Sequence, residues 1–521
     1  MPDITIDHQT ITARDGDTVL EAAAGAGLDI PTLCYFEGNE PCPSCMACAV
    51  KDAGKDIFIP SCAVKAEDGM KLECETDEVH EFRKTAIELL FSDHLGDCIS
   101  PCQRICPAHL EIPLTMKLVG AGKLREAIVA VKRSVALPAV LGRTCHRPCE
   151  SGCRRGTHDD AVSICSLIRH VADEDLASGH GYLPPCGPPR NKSIAIVGAG
   201  PAGLSAAYYL LQEGYACTLY EQSDRPGGTL KELVKKGELP EDVVASEIGL
   251  IEKLGANLRF GIRVGSDVSL ETLQQEHDAV LLSIGKVEDS DIEAFGLKVT
   301  RAGIQVGRES YETELEGVFA AGHAVRKTGK VVHSVADGKT VAAAIHQHLS
   351  GFPIVGQAKS FTCQVGKLQE GEMPEFMKEI SEAERTSPAA GQETGFSFEE
   401  AVKETERCVQ CDCRAIDTCK LRGLAIRYGA SPTRFDGDRP AFRKQVEHPF
   451  IVYEPGKCIR CGNCVRIAEA SRESLGLTFV GRGFDVQLGV PFNGTLREGL
   501  KKVAAECVAA CPVGALALKD E

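Results

Sequence analysis

Several things are scarce in this chain, and each scarcity excludes something. Lys and Arg number 58 against 74 Asp and Glu, giving a net charge of −16, and the basic residues form no run. A nucleic-acid surface is therefore not expected. No apolar stretch reaches the length of a membrane span. The start, Met1-Pro2-Asp3-Ile4, has neither a positively charged region nor a twin arginine, so it does not read as a secretory signal and a cytoplasmic protein is expected. Nor is there a nucleophile dyad or a paired-carboxylate site, so no catalytic residue can be named. Tryptophan is absent altogether. Against these shortages cysteine stands out, with 25 residues in 521. Without an export signal, and with C-x2-C and C-x3-C spacings too tight for a disulfide framework, the thiols read as metal ligands. Zinc competes with iron–sulfur clusters at any one group.

The middle of the chain carries Val197-Gly198-Ala199-Gly200-Pro201-Ala202-Gly203. A strand-like Ser193–Val197 precedes it and a helical 204–212 follows. A second strand, Cys217-Thr218-Leu219-Tyr220, ends in Glu221. These are the parts of a dinucleotide-binding βαβ unit. The glycines allow a tight turn and close approach to a pyrophosphate, the helix N-terminus faces that anion, and the acid takes the ribose hydroxyls. Arg225-Pro226-Gly227-Gly228 follows and resembles the flavin-binding extension of two-dinucleotide flavoproteins, which implies FAD on Gly198, Gly200, Pro201, Ala202, Gly203, Glu221, Gly227 and Gly228. The apolar strand Asp278–Ile284 ends at Gly285, where that family closes the FAD site. Gly317-Val318-Phe319-Ala320-Ala321-Gly322 resembles the family's returning FAD strand. Only 31 residues lie between Gly285 and Gly317, too few for the family's NAD(P)H domain, and no second glycine fingerprint exists. The family's Gly-Asp is here Gly322-His323, and His323 could donate to a phosphate oxygen. The helix that follows, 339–348, should aim its N-terminus at the isoalloxazine ring.

In residues 1–77, Ile4-Thr5-Ile6 and Thr10–Ala13 read as a hairpin and Thr18 as the cap of a helix over 19–24. Cys34, Cys45, Cys48 and Cys62 are spaced C-x10-C-x2-C-x13-C. This resembles the N-terminal 2Fe–2S domain of the large iron–sulfur subunit of NADH dehydrogenase and of related formate dehydrogenases and hydrogenases, which implies a β-grasp, plant-type ferredoxin. Cys42 and Cys74 fall outside the pattern and read as plain buried cysteines. Residues 78–185 open with a helix over 79–91 and His94-x3-Cys98. The run Cys98-x3-Cys102-x3-Cys106-Pro107, then Cys145-x3-Cys149-x3-Cys153, resembles the N-terminal domain of the glutamate synthase small subunit and of dihydropyrimidine dehydrogenase. That resemblance implies a helical domain with two 4Fe–4S clusters. One would lie on Cys98, Cys102 and Cys153 with His94 as fourth ligand, the other on Cys106, Cys145 and Cys149 with Cys165. His94 as a surface histidine and Cys165 as an inert core cysteine stay open.

Residues 190–352 form the expected Rossmann-like FAD domain, and 353–400 read as a linker. In 401–435, Cys408, Cys411, Cys413 and Cys419 could fold round one cubane, with zinc the competitor. In 445–521, Cys458-x2-Cys461-x2-Cys464 and the distant Cys511-Pro512 follow the bacterial ferredoxin pattern. Gly456–Gly462 again resembles the formate dehydrogenase and NADH dehydrogenase subunits. Ala468 stands where a further cluster's cysteine would be, and Cys507 receives no role. The expectation is thus a multidomain α/β and α+β chain with one FAD, one 2Fe–2S and four 4Fe–4S clusters on 19 cysteines and one histidine. It reads as an electron-transfer subunit of a formate dehydrogenase-, aldehyde oxidoreductase- or hydrogenase-type complex, with other oxidoreductase subunits as partners. The alternatives are a flavin reductase using ferredoxin, or NAD(P)H bound by a partner, including an electron-bifurcating one, and an assembly scaffold with a decayed flavin site.

Overall fold

Ile4, Ile6 and Ile11 alternate with polar residues, so β1 (Asp3–Ile6) and β2 (Gln9–Thr12) pair antiparallel with Ile4 opposite Ile11 and the isoleucines buried. The computed structural model describes residues 1–521 except 39–40, 289–293, 327–328, 358–359, 392, 436 and 520–521. With β3 (Ala49–Asp52), β4 (Ile57–Pro60) and β5 (Lys71–Glu73), the first strands build a mixed sheet of order β2-β1-β5-β3-β4. The helix Val19–Gly25 packs on that sheet's core, started by a capping box in which Thr18 and Glu21 satisfy each other's backbone N–H groups.

The chain divides into two units. The first is drawn from three stretches, Met1–Ser100, Ser360–Ile380 and Cys411–Glu521. Besides the sheet it holds the helix Asp77–Phe91 and two short antiparallel pairs, Ile451–Tyr453 with Leu516–Leu518 and Thr478–Val480 with Gln487–Gly489. The second unit is Pro101–Lys359 with Ser381–Gln410. Its helical part includes Leu124–Ser134, Pro138–Thr144 and Ile164–Ala177. Gly142 lets the last two meet, since a Cβ there would stand 2.6 Å from Arg169 Cβ.

The rest of the second unit is a parallel sheet. β6 (Ser193–Val197), β7 (Ala216–Glu221), β8 (Asn257–Phe260), β9 (Ala279–Leu282) and, after a small hairpin of β10 (Val299–Thr300) and β11 (Gly303–Ile304), β12 (Val318–Ala320) stand in the order β12-β9-β6-β7-β8. Continuous apolar runs in β6 and β9 fit strands covered on both faces. The helices Pro201–Gln212 and Val331–Leu349 pack together so closely that a Cβ on Gly338 would sit 2.4 Å from the Ala202 carbonyl oxygen.

Two expected segments take a different form. The stretch 353–400 is not a simple linker. Cys363, Val365 and Phe376 are buried, Phe376 stacks on Phe442 at 4.0 Å, and the segment contributes to both units. Apolar residues scattered among polar ones hid this, because no period marks them. The expected 401–435 segment is likewise split, with Cys408 in the second unit and Cys411, Cys413 and Cys419 in the first.

Candidate functional site

A cavity of about 370 Å³ opens at the carboxyl end of the parallel sheet, where α/β sheets bind their ligands. Gly198, Gly200, Pro201, Ala202, Glu221, Gly228, Gly285 and His323 line it. Gly203, Gly227 and Gly322 act just behind the wall. Gly198 has φ +99°, and a Cβ on it would stand 2.6 Å from the Ser283 carbonyl oxygen. A Cβ on Gly203 would overlap the Gly198 carbonyl oxygen at 2.1 Å. The Gly227 N–H donates to the Ala199 carbonyl at 2.8 Å, and a Cβ on Gly228 would stand 2.8 Å from Gly200 Cα. The two glycine loops therefore touch, and only glycine permits it.

Glu221 is buried. Its carboxylate accepts from the backbone N–H of Ala199 at 2.9 Å and of Ser223 at 3.0 Å, which fixes it at the pocket edge with lone pairs to spare. His323 Nε2 lies 3.1 Å from the Gly329 carbonyl oxygen and donates there. Its other nitrogen can therefore donate to an anion only when the ring is charged. Lys231, Arg263 and Lys286, which the glycine pattern does not identify, bring positive charge to the wall.

The thiols gather in groups. Cys34 Sγ lies 3.3 Å from Cys45 Sγ, and Cys62 contacts both Cys34 and Cys48, so the four spaced cysteines of the first loop converge. Their neighbours hold Cys34 and Cys48 down, to about 2 and about 7, and push Cys45 and Cys62 up. Cys42 is exposed, contrary to the expectation of a buried thiol, because it sits in an irregular loop. Cys74 is buried as expected, with Arg83 Nη2 3.4 Å from its sulfur.

In the second unit, Cys145 ends the helix Pro138–Thr144 and Cys165 begins the helix Ile164–Ala177, and their thiols are in contact. Contact with Cys165 holds Cys145 down to about 7, and Cys165 is pushed up. Cys106 and Cys149 lie near enough to interact electrostatically with Cys145. Glu150 orients the group, since its carboxylate accepts from the Cys165 N–H at 3.0 Å and from Arg385 at 2.7 Å. Cys102 is buried, and Cys153 and Cys408 are half-buried against the same core.

In the first unit, Cys458, Cys461, Cys464 and Cys511 line a cavity of about 20 Å³ with Tyr453, Phe479 and Leu488. Burial pushes all four thiols up, Cys461 to about 12. Cys507 is fully buried, 3.6 Å from the Cys464 carbonyl oxygen. A further group surrounds Cys98. Its thiol contacts Cys363, a residue outside every cysteine motif, and Cys413 and Cys419 stand near both. Cys98 is held down to about 6, chiefly by Cys363, which is pushed up. His94 lines the same small cavity. It is half-buried, its Nδ1 is buried and lacks a hydrogen-bond partner among the described residues, and burial with the Lys457 charge pushes it down to about 4. It is thus not an exposed side chain.

Cys98 thus has Cys363, Cys413 and Cys419 among its thiol neighbours. Cys413 and Cys419 stand with Cys98, because the backbone N–H of Cys413 bonds the Cys98 carbonyl at 3.3 Å. No local spacing signals Cys363. Among the described residues no three His, Cys, Asp or Glu side chains close on a point as they would for a single metal ion. Buried soft thiols in sets of four, flanked by cations, are a donor set that suits iron–sulfur clusters.

Four family models match along the chain. Residues 2–77 match a 2Fe-2S iron-sulfur cluster binding domain, and 94–180 match dihydropyrimidine dehydrogenase domain II, 4Fe-4S cluster. Residues 196–248 match an NAD(P)-binding Rossmann-like domain, and 448–517 match the ferredoxin-like domain of NADH-quinone oxidoreductase subunit 3. The beta subunit of NADP(+)-dependent formate dehydrogenase from Moorella thermoacetica is 38% identical over 36% of this chain and 29% of its own. The PreT subunit of NAD-dependent dihydropyrimidine dehydrogenase from Escherichia coli is 34% identical over 38% of this chain and 48% of its own. The small chain of NADPH glutamate synthase from Bacillus subtilis is 30% identical over 46% of this chain and 50% of its own. The chain thus spans between about a third and a half of the length of these relatives. It joins 2Fe-2S, 4Fe-4S and Rossmann-like dinucleotide-binding segments, and its homologues include oxidoreductase subunits of the formate dehydrogenase, dihydropyrimidine dehydrogenase and glutamate synthase kinds.

Proposed function

We propose that this chain is an iron–sulfur flavoprotein that relays electrons within a multi-subunit oxidoreductase, holding one FAD, one 2Fe–2S and four 4Fe–4S clusters. The observation that carries the reading is the dinucleotide pocket, with its two touching glycine loops, in a chain whose buried thiols gather in sets. When bound, clusters of this kind exchange one electron each and a flavin can hold two. The chain's own residues bind and orient. Gly198, Gly200 and Gly228 let backbone approach a pyrophosphate, Glu221 marks the ribose end, and Lys231, Arg263 and Lys286 offset phosphate charge. With no second glycine fingerprint for a hydride donor, electrons enter from a partner. That partner is a catalytic subunit of the formate dehydrogenase, aldehyde oxidoreductase or hydrogenase kind, and the 38% identity to a formate dehydrogenase beta subunit supports the first. Among the described residues no helix is long and apolar enough to cross a membrane, which suits the cytoplasmic placement we assign.

A second reading is a reductase that takes NADPH or ferredoxin electrons. A relative named as the beta subunit of an NADPH-Fe(3+) oxidoreductase from Geobacter sulfurreducens, 36% identical over 41% of this chain and 33% of its own, favours it. One anaerobic experiment separates the two. NADH and then NADPH are added to the purified chain while flavin and cluster absorbance are followed. The relay predicts that neither bleaches it and dithionite does. Rapid bleaching by either nucleotide supports the reductase.

A further inference from the structure

Thiol–thiol contacts in this molecule mark cluster motifs. They occur among Cys34, Cys45, Cys48 and Cys62, where the spacing calls for a 2Fe–2S ligand set, and between Cys145 and Cys165 in the helical domain. The third such contact, Cys98 with Cys363, brings in a cysteine that belongs to no motif. Three segments hold it in place through their backbones. The Cys98 N–H donates to the Cys363 carbonyl at 3.4 Å, and the Cys363 N–H points at Cys98 Sγ at 3.4 Å. On either side, the Ile99 N–H donates to Thr362 Oγ1 at 3.2 Å and the Val365 N–H to Asp97 Oδ1 at 3.1 Å. From the third segment the Cys413 N–H reaches the Cys98 carbonyl at 3.3 Å. Cys419 caps the helix Lys420–Tyr428, and the Arg422 N–H lies 3.4 Å from its sulfur. An N–H aimed at sulfur stabilises a thiolate.

The surroundings call for an anion. Arg422 and Lys457 both face Cys98. Lys457 is paired with Glu454 at 2.5 Å, but among the described residues Arg422 meets only the carbonyls of Phe361 and Ile416 and no carboxylate. A half-buried guanidinium beside four thiols, with no acid of its own, is matched by a negatively charged thiolate cluster. Gly514 adds a steric sign. A Cβ there would stand 2.6 Å from Cys413 Sγ, so the backbone following Cys511 is held against that thiol.

Resting on the iron–sulfur reading above, we propose that Cys98, Cys363, Cys413 and Cys419 are the four ligands of one 4Fe–4S cluster, with His94 beside it as a neighbour that does not ligate. The four thiols match the four iron positions of a cubane, and the imidazole beside them is left to tune it.

The test uses the full chain, purified anaerobically and reconstituted with iron and sulfide. Iron per chain and the EPR spectrum after dithionite are read for the wild type, Cys363→Ala, His94→Ala and the control Cys217→Ala, whose thiol is buried in the parallel sheet away from other sulfurs. In Cys363→Ala, one 4Fe–4S signal is expected to vanish or convert to a three-iron signal, with iron lost, while the remaining 4Fe–4S signals and the retained flavin report that the chain has folded. His94→Ala and Cys217→Ala are expected to keep all their iron. If Cys363→Ala does not fold, Cys363→Ser decides, since it is expected to keep the cluster at a lower potential. A Cys363→Ala chain with full iron and an unchanged spectrum overturns the assignment. So does a Cys363→Ser chain that titrates as wild type, a His94→Ala chain that alone loses the signal, or a Cys98–Cys363 disulfide found in the anaerobic protein. A wild-type chain that takes up no iron overturns the relay reading as well.

Discussion

Two thiol groups of the first unit make an instructive pair. The group of Cys34, Cys45, Cys48 and Cys62 lies on one short stretch of chain, with Cys48 and Cys62 in the core of its own sheet and Cys34 and Cys45 packed against the last segment. The group round Cys98 is assembled from three stretches, with Cys363 and Cys419 hundreds of residues downstream in the chain. The first needs only a short loop to close to bring its thiols together, at modest entropic cost. The second needs the unit complete, so its ligands depend on backbone hydrogen bonds made far away. A ligand set is legible in sequence when local chain geometry places it, and illegible when tertiary packing does.

The sharpest way to break this contrast is Cys48→Ala. If the loop is self-sufficient, this change abolishes the 2Fe–2S signal in EPR and leaves every 4Fe–4S signal intact. Loss of the signals across the chain would show that the loop is not independent. Gly198→Ala comes next, because its motif is contiguous while the atom it would strike, the Ser283 carbonyl oxygen, is not. Flavin retained through gel filtration should fall at least tenfold, equal to about 1.4 kcal/mol or more of binding free energy. Gly514→Ala tests the assembled site directly. The added methyl presses on Cys413, so the spectrum of that group should broaden or shift while the 2Fe–2S signal does not change.

The smallest effect concerns Glu247, itself an assembled contact within the second unit. Its carboxylate accepts from the N–H groups of Ala139 and Val140 at 3.0 and 2.9 Å. Burial nevertheless raises it from 4.5 to about 7. The protonated form is therefore favoured by folding. The group's contribution is full below the unfolded value and is lost as pH rises through the folded one. Glu247→Gln should remove that slope between pH 4.5 and about 7, at a cost of about 1 kcal/mol in acid, where one N–H loses its better acceptor. Thermal unfolding of the flavin-loaded chain at the two pH values reads it.

Much of the fold follows from short patterns. The hairpin of Ile4 and Ile11, the Thr18 cap and the helix of Asp77–Phe91 stand where alternation and capping put them. The glycines of the dinucleotide loop meet backbone at the close approaches their spacing implies. Elsewhere the signal is absent for a physical reason. Cys363 and Phe376 lie in a polar, irregular stretch whose burial comes from partners such as Phe442, so neither a period nor a spacing betrays them. The basic wall of Lys231, Arg263 and Lys286 was equally hidden, since its members lie on separate turns that only the sheet brings together. His94 was legible as a candidate through its H-x3-C spacing, but its neighbours were not.

The first unit is interrupted, with its opening hundred residues separated from its closing ones by the body of the second. Proteins are synthesised from the N-terminus, and domains fold as their segments emerge. The loop of Cys34 to Cys62 is thus available for metal while most of the chain is still unmade. Cys98 must wait for the ribosome to reach Cys419. During that interval its thiol is exposed to oxidants, and premature release at any point before Cys419 yields a chain that holds the first four thiols but can never complete the proposed second set.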